Sequence, residues 1–289
     1  MYDFKISHPG KILIYQSGIT KNDLIEYYKG VARPLLKYAS RRAISFKRYP
    51  NGFPGISFFQ RNKPKYAPSW IKYESLGIKK KANYIIPDKI EDFLWLVNID
   101  TLEFHITQTC VPDLMKPDML VFDLDPPYKK GDPLYKNFKM IRDLALRIKP
   151  IIESFGYNVF PKTSGKKGVH IFCPVIPENT YDEVFAAAEE IGKEIVAKIR
   201  NVTLRIAKEK RMDKTLIDIY RNHTLQSMSM PYGMRATDKG NVSMPLTWER
   251  LAMTESPEEF TIRTVNDFLK DFGDAWNDIA NNRVILHTK

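Results

Sequence analysis

The sequence predicts an α+β fold of mixed α/β character, with a central mixed or antiparallel sheet and a smaller N-terminal α/β lobe. Three observations carry that expectation. Segments with helical periodicity and segments with strand-like alternation are interleaved along the whole chain. No internal repeat, low-complexity tract or Gly/Ser linker interrupts them. And 289 residues with 43% hydrophobic content are enough to bury a substantial core. The expected organisation is a single domain over residues 1–289, with a lobe of residues 1–110 beside a larger one of residues 111–289.

Taken in order, the elements justify that expectation. From Lys21 to Lys37 the apolar positions Leu24, Ile25, Tyr28, Val31, Leu35 and Leu36 recur at helical spacing, and Thr20 precedes them as a cap. ISFKRYP then reads as a strand ending in the turn Pro50-Asn51-Gly52, and residues 88–100 read as helix. MLVFDLDPP is a short apolar strand stopped by Pro126 and Pro127. A helix over 134–154 shows Phe138, Ile141, Leu144, Ala145 and Ile148 on one face. GYNVFPKTSG and GVHIFCPV form a strand pair around a Ser-Gly-Lys-Lys-Gly turn; a helix over about 180–200 and a strand in TLIDIYR follow.

Composition narrows the function classes. Lys and Arg outnumber Asp and Glu by 45 to 34, a net charge of +11, so the surface should attract a polyanion such as nucleic acid or an anionic membrane. No apolar run reaches the roughly 18 residues of a membrane span, and MYDFKISHPGK lacks the layout of a secretory signal. A soluble, intracellular protein is the expectation. Two cysteines, Cys110 and Cys173, are too few for a disulfide scaffold or a cysteine zinc site, and the five histidines show no ligand spacing. Any metal should therefore sit on carboxylate oxygen, which favours magnesium or manganese.

Alternation in FDLDPP makes Asp123 and Asp125 emerge on one face while Phe122 and Leu124 pack on the other. Two neighbouring carboxylates repel unless a proton or cation lies between them, and a hard divalent ion is the usual answer; a solvated strand end is the alternative. Asp218, in the apolar stretch Leu216–Tyr220, needs a partner too, either the same metal or a basic side chain. Between these acids, Ser164-Gly165-Lys166-Lys167-Gly168 supplies glycine N–H groups and two charges, with His170 opening the next strand. That pattern suits a triphosphate cradle, though not a Walker loop, and equally a basic hairpin. Arg235, in Pro231-Tyr232-Gly233-Met234-Arg235, reads as a phosphate fork or a surface arginine.

Taken in order, FDLDPP, TSGKKGVHIF, IDIYRN and MPYGMRA resemble the motifs of the polymerase domain of bacterial ligase D, a branch of the archaeo-eukaryotic primase superfamily. KILIYQSGITKNDLIEYYKGVA, RRAISFKRYPNG and FFQRNKP look like its opening segments and SMPLTWERL like its closing one, so the likeness covers roughly residues 7–252. The resemblance implies template-dependent addition of nucleoside triphosphates, with a preference for ribonucleotides, at gaps, overhangs and double-strand breaks during non-homologous end joining. It places the catalytic carboxylates, holding two ions of manganese or magnesium, on Asp123, Asp125 and Asp218. Nucleotide contacts fall on Ser164, Lys167, His170 and Arg235, with Lys166 added by its place in the turn. Grip on a 5′-phosphate falls on Lys11 and Lys21 and template contact on Phe58 and Phe59, while Arg48 and His105 lie near DNA and nucleotide. Where the family often carries Gln or a small polar residue, this chain has Arg221.

With no ligase or nuclease segment in view, the resemblance implies a stand-alone subunit with Ku and a separate ATP-dependent ligase as partners, in the cytoplasm and associated with the nucleoid. LVFDLDPP also resembles the first motif of haloacid-dehalogenase-type phosphatases. Pro126 and Pro127 stand where that motif needs a small residue, and Asp218 has no counterpart there. A catalytically silent DNA-end-binding module is the other rival, favoured by charge alone.

Overall fold

The computed structural model describes residues 4–127, 133, 135–207, 209, 211 and 213–286. The architecture is α+β, as the interleaved periodicities predict, and it is built on a five-stranded and a six-stranded sheet. The chain divides into two compact units. One gathers Met1–Val111 with Ser227–Ser243 and Phe260–Gly273, and the other Pro112–Gln226 with Met244–Glu259 and Asp274–Lys289.

The sheet of the first unit runs in the order Ser227–Ser229, Thr101–Thr107, Ile44–Arg48, Ala82–Ile85, Tyr73–Leu76, and Phe58–Gln60 pairs with Ile44–Arg48 as well. Every junction is antiparallel. The helix expected over 21–37 is two helices, Lys21–Gly30 and Ala32–Ala39. Val31 breaks it, at φ −96° and ψ 11°. Pro34 explains the break: inside one continuous helix it would lack the N–H owed to Gly30 and its ring would clash there, whereas in the first turn of a new helix that N–H is not needed. Thr20 caps the first helix as expected, its hydroxyl accepting from the Asp23 N–H while the Asp23 carboxylate accepts from the Thr20 N–H. Leu24, Ile25, Tyr28 and Leu35 are fully buried.

In the second unit the order is Phe160–Thr163, Val169–Pro174, Met119–Asp125, Thr215–Asp218, Val202–Thr203. The first three junctions are antiparallel and the last parallel, which makes this sheet the mixed one. Helices Phe138–Glu153 and Tyr181–Lys198 pack on it. Of the helix expected over 134–154, residue 134 lies outside the described residues. Leu120, Phe122, Leu124, Val169, Ile171 and Ile217 are buried and share one face through their cross-strand pairing. The strand expected through TLIDIYR stops at Asp218, and Tyr220–Asn222 turns into a short 3₁₀ helix. Asn222 fixes that turn: its side-chain amide donates to the Val121 carbonyl and its oxygen accepts from the Val121 N–H. Among the described residues no helix is long and apolar enough to cross a membrane.

Candidate active site

Strand register assembles the acidic cluster. Asp123 lies directly opposite His170 on one neighbouring strand and Asp218 on the other, and His170 lies opposite Lys162 on the next strand out. Directly paired residues share a face. Lys162, His170, Asp123 and Asp218 therefore form a row across four strands, with Asp125 two residues further along on the same face. Asp123, Asp218, His170 and Lys162 are buried and Asp125 is partly exposed. Below the row, Trp276 closes the face against Phe172 and Phe160, its indole N–H donating to the Pro161 carbonyl.

Each acid has a defined set of partners. The His170 Nε2 is 3.3 Å from Asp123 Oδ1, and the Arg221 Nε is 3.4 Å from Asp123 Oδ2 and 3.2 Å from Asp218 Oδ2. The Tyr220 N–H donates to Asp218 Oδ1, and the Lys167 Nζ lies 3.9 Å from Asp125 Oδ1. Burial alone would push the Asp123 carboxyl up, but His170, Arg221 and Lys162 outweigh it and hold the group well below the usual range. Asp125 goes the other way: burial, then the charge of Asp123, lifts it to about 6. Asp218 is raised by burial and by Asp123, against the pull of Arg221. Of the two alternatives for Asp218, the basic partner is present in Arg221, and Asp123 stands beside it.

Among the described residues no three His, Cys, Asp or Glu side chains already form a metal cage. The donor set nonetheless fits a divalent ion in kind. All three acids offer hard oxygen, and burial followed by the charge of Asp123 makes Asp125 costly to ionise without a further cation.

The Ser164–Gly168 turn is pre-shaped. Ser164 Oγ accepts from the N–H groups of Lys166 and Gly168, and the Ser164 N–H returns a bond to the Gly168 carbonyl. A Cβ at Gly168 would meet the Leu124 carbonyl oxygen at 2.5 Å, so only glycine lets the turn lie this close to the strand carrying the acids. Lys166 and Lys167 are half-buried in the turn, and Lys167 is paired with Asp125 of the cluster.

The remaining sequence-predicted residues belong to the first unit. Arg235 and His105 converge on Glu103, whose Oε2 lies 3.3 Å from the Arg235 Nε and 3.5 Å from the His105 Nε2, while its Oε1 accepts from the Ala236 N–H. Lys11 and Lys21 converge on Asp100. Lys11 is partly exposed, but Lys21 is buried, with its ammonium also donating to the Asn98 carbonyl. Arg48 donates to the Ile99 carbonyl and the Tyr66 hydroxyl. Phe58 and Phe59 are both exposed; alternation sends Phe58 to the Arg48 face and Phe59 to the His105 face, where the two rings lie 5.7 Å apart.

Sequence reasoning missed Lys162, Asn222, Glu103 and Asp100. Hairpin arithmetic could have found Lys162, because a turn over 164–168 sets residue 162 opposite residue 170. Glu103 could have come from the alternation with His105. Asp100 offered no signal: it sits in a turn at φ +66°, some 80 to 90 residues from the lysines it joins.

The family model for the LigD primase-polymerase domain matches residues 20–276. The bifunctional non-homologous end joining protein LigD of Bacillus subtilis is 32% identical over 275 residues, which cover 94% of this chain and 43% of that protein. The multifunctional non-homologous end joining protein LigD of Mycolicibacterium smegmatis is 27% identical over 276 residues, 93% of this chain and 35% of that protein. The chain thus spans less than half the length of these relatives. Among solved structures, the polymerase domain from Mycobacterium tuberculosis ligase D in complex with DNA has the same fold, at a TM-score of 0.86 and 24% identity over 98% of this chain and 100% of that one. Since the family model spans most of the sequence, the chain belongs to the LigD primase-polymerase domain family.

Proposed function

We propose that this chain is a template-dependent nucleotidyltransferase that extends DNA 3′ ends at gaps, overhangs and double-strand breaks in non-homologous end joining, with ribonucleotides preferred. The observation that carries the reading is the row of Asp218, Asp123 and His170 in strand register, with Asp125 beside it and the Ser164–Gly168 turn at its edge. Asp123, Asp125 and Asp218 would hold two divalent ions, manganese or magnesium, which when bound lower the pKa of the attacking 3′-OH and neutralise the triphosphate. His170 orients Asp123, and the Asn222 clamp keeps Asp218 level with it. The turn presents N–H groups and the charges of Lys166 and Lys167 to phosphate oxygen.

In the first unit, Glu103 steadies Arg235 and His105 for contact with nucleotide. Lys11, backed by Lys21, is suited to the 5′-phosphate at the far side of a gap, and Phe58, Phe59 and Arg48 to template DNA. Among the described residues no side chain is placed as a covalent nucleophile, and positioning with charge stabilisation suffices for this chemistry. Ku and an ATP-dependent ligase complete the repair of an end, on nucleoid DNA in the cytoplasm. The test is extension of a gapped duplex with each nucleoside triphosphate and each metal. A product ladder, longer with ribonucleotides, is expected; no extension with any metal would sink the reading.

A further inference from the structure

The role of position 221 is the feature that the family reading leaves open. Arg221 leaves the sheet on the turn after Asp218, and Asn222 pins that turn to the strand of Asp123. Its Nε is thereby brought within 3.4 Å of Asp123 Oδ2 and 3.2 Å of Asp218 Oδ2. The other oxygen of each acid is engaged elsewhere, Asp123 Oδ1 by His170 and Asp218 Oδ1 by the Tyr220 N–H. So the guanidinium stands against the oxygen of each acid that neither His170 nor the Tyr220 N–H engages. It does so without a directed hydrogen bond from Nε to either, as an ionic contact rather than a two-pronged fork.

We propose that Arg221 is a built-in counter-cation that competes with divalent metal for Asp123 and Asp218, so that metal binds tightly only when Arg221 gives up those oxygens. The proposal rests on the reading that these acids hold metal. Without any cation, Asp123 and Asp218, opposed on adjacent strands, would repel across a buried patch. Arg221 relieves that repulsion, and a divalent ion would then have to displace a charge already in place. The triphosphate that arrives with the ion carries the anionic oxygen that suits a released guanidinium. Metal and nucleotide would thereby bind cooperatively, and by linkage each raises affinity for the other.

The experiment is direct titration with Mn²⁺ alone, read by the electron paramagnetic resonance of the free ion, on wild type, Arg221→Gln, Arg221→Lys, Lys167→Gln and Asp218→Asn. Arg221→Gln should bind Mn²⁺ at least about tenfold more tightly than wild type. Arg221→Lys, which keeps the charge, should stay near wild type. Lys167→Gln removes an equal charge that stands 3.9 Å from Asp125, and should gain much less. In metal-free protein Arg221→Gln should lower Tm, and Mn²⁺ should raise its Tm further than that of wild type. A merely structural pairing would lower Tm with no gain in Mn²⁺ affinity, and that result overturns the proposal. Equal gains for Arg221→Gln and Lys167→Gln overturn it as well, since they report only the general field. If Asp218→Asn leaves Mn²⁺ binding unchanged, the metal reading itself falls. If Asp218→Asn weakens binding while Arg221→Gln matches wild type, only the role of Arg221 falls. A non-hydrolysable nucleoside triphosphate should narrow the gap between wild type and Arg221→Gln; a gap of the same width overturns the hand-over to phosphate.

Discussion

The acidic cluster of the second unit and the lysine pair of the first solve one electrostatic problem with opposite signs. Three carboxylates gather around Arg221, His170 and Lys167 in one, and two ammonium groups gather around Asp100 in the other. In each, like charges are brought together by the fold and opposite charge holds them there. On the proposed reading the carboxylate oxygens receive a cation, and the two lysines, in excess of Asp100, receive an anion. They differ in how geometry is imposed. Strand pairing sets Asp123 against Asp218, whereas Lys11, Lys21 and Asp100 come from two loops and a helix start. A site held by register should lose its chemistry when a single side chain changes; a site held by ion pairs should lose selectivity first.

Asp218 gives the sharpest break. Asp218→Ala should abolish nucleotide addition, a loss of several kcal/mol of transition-state stabilisation or on the order of 10³-fold in kcat/KM, while DNA affinity changes little. Single-turnover extension and a DNA-binding titration on the same preparation check both halves. Near-wild-type extension at saturating Mn²⁺ would remove Asp218 from the site.

The next test turns the burial of Asp125 beside Asp123 into a stability measurement. Folding lifts Asp125 to about 6, above its value of about 4 in an unfolded chain. Protonated Asp125 therefore favours the folded state below about pH 4, and that contribution is lost as pH rises through about 6. The raised Asp218 acts with the same sign, while the lowered Asp123 acts the opposite way at lower pH. With metal chelated, Asp125→Asn should thus be more stable than wild type at neutral pH, by on the order of 3 kcal/mol at most, with no gain near pH 4. Chemical denaturation across that range reads it out. The same variant should be inactive, so function and stability oppose each other at one atom. A parallel pH profile for the two proteins would mean that Asp125 is already neutralised.

Much of the acidic cluster was legible because period-2 alternation and hairpin pairing are local rules. FDLDPP announced a strand with two acids on one face, and the Ser164–Gly168 turn announced its neighbour. That Asp218 would stand level with Asp123 was not legible, because register between strands almost a hundred residues apart is set by packing and not by either segment. Arg221 was misplaced for a related reason: TLIDIYR alternates like a strand throughout, yet the Asn222 side chain ends it by bonding the backbone of another strand. In the first unit the helix break at Val31 was readable from Pro34, whereas the meeting of both lysines at Asp100 depends on tertiary contact alone.

The lysine pair itself sharpens the comparison at the smallest scale, because its two members are not equivalent. Lys11 is partly exposed, and its Nζ lies 2.6 Å from Asp100 Oδ2 and 2.5 Å from the Pro50 carbonyl oxygen. Lys21 is buried, 3.1 Å from Asp100 Oδ1 and 2.7 Å from the Asn98 carbonyl oxygen. A phosphate can reach the first, while the second acts by balancing Asp100 and leaving Lys11 its charge. Lys11→Ala should therefore erase the preference for a 5′-phosphorylated gap over a hydroxyl-ended one, roughly a tenfold effect for one charge-assisted contact. It should also flatten log K against log salt by about one unit on duplex DNA. Lys21→Met should instead lower Tm, since it strips a buried partner from Asp100, and reduce the preference only in part. Asp100→Asn is the informative third change, because Asn tolerates the φ of +66° at that position and the substitution removes only the minority charge. It should strengthen the phosphate preference by a few-fold while weakening the fold, as two ammonium groups are left facing each other. Fluorescence titration of phosphorylated and hydroxyl-ended gaps, beside thermal melts, separates the three. If Lys11→Ala weakens both substrates by one factor and Asp100→Asn strengthens neither selectively, the pair is a general DNA contact and the phosphate is read elsewhere.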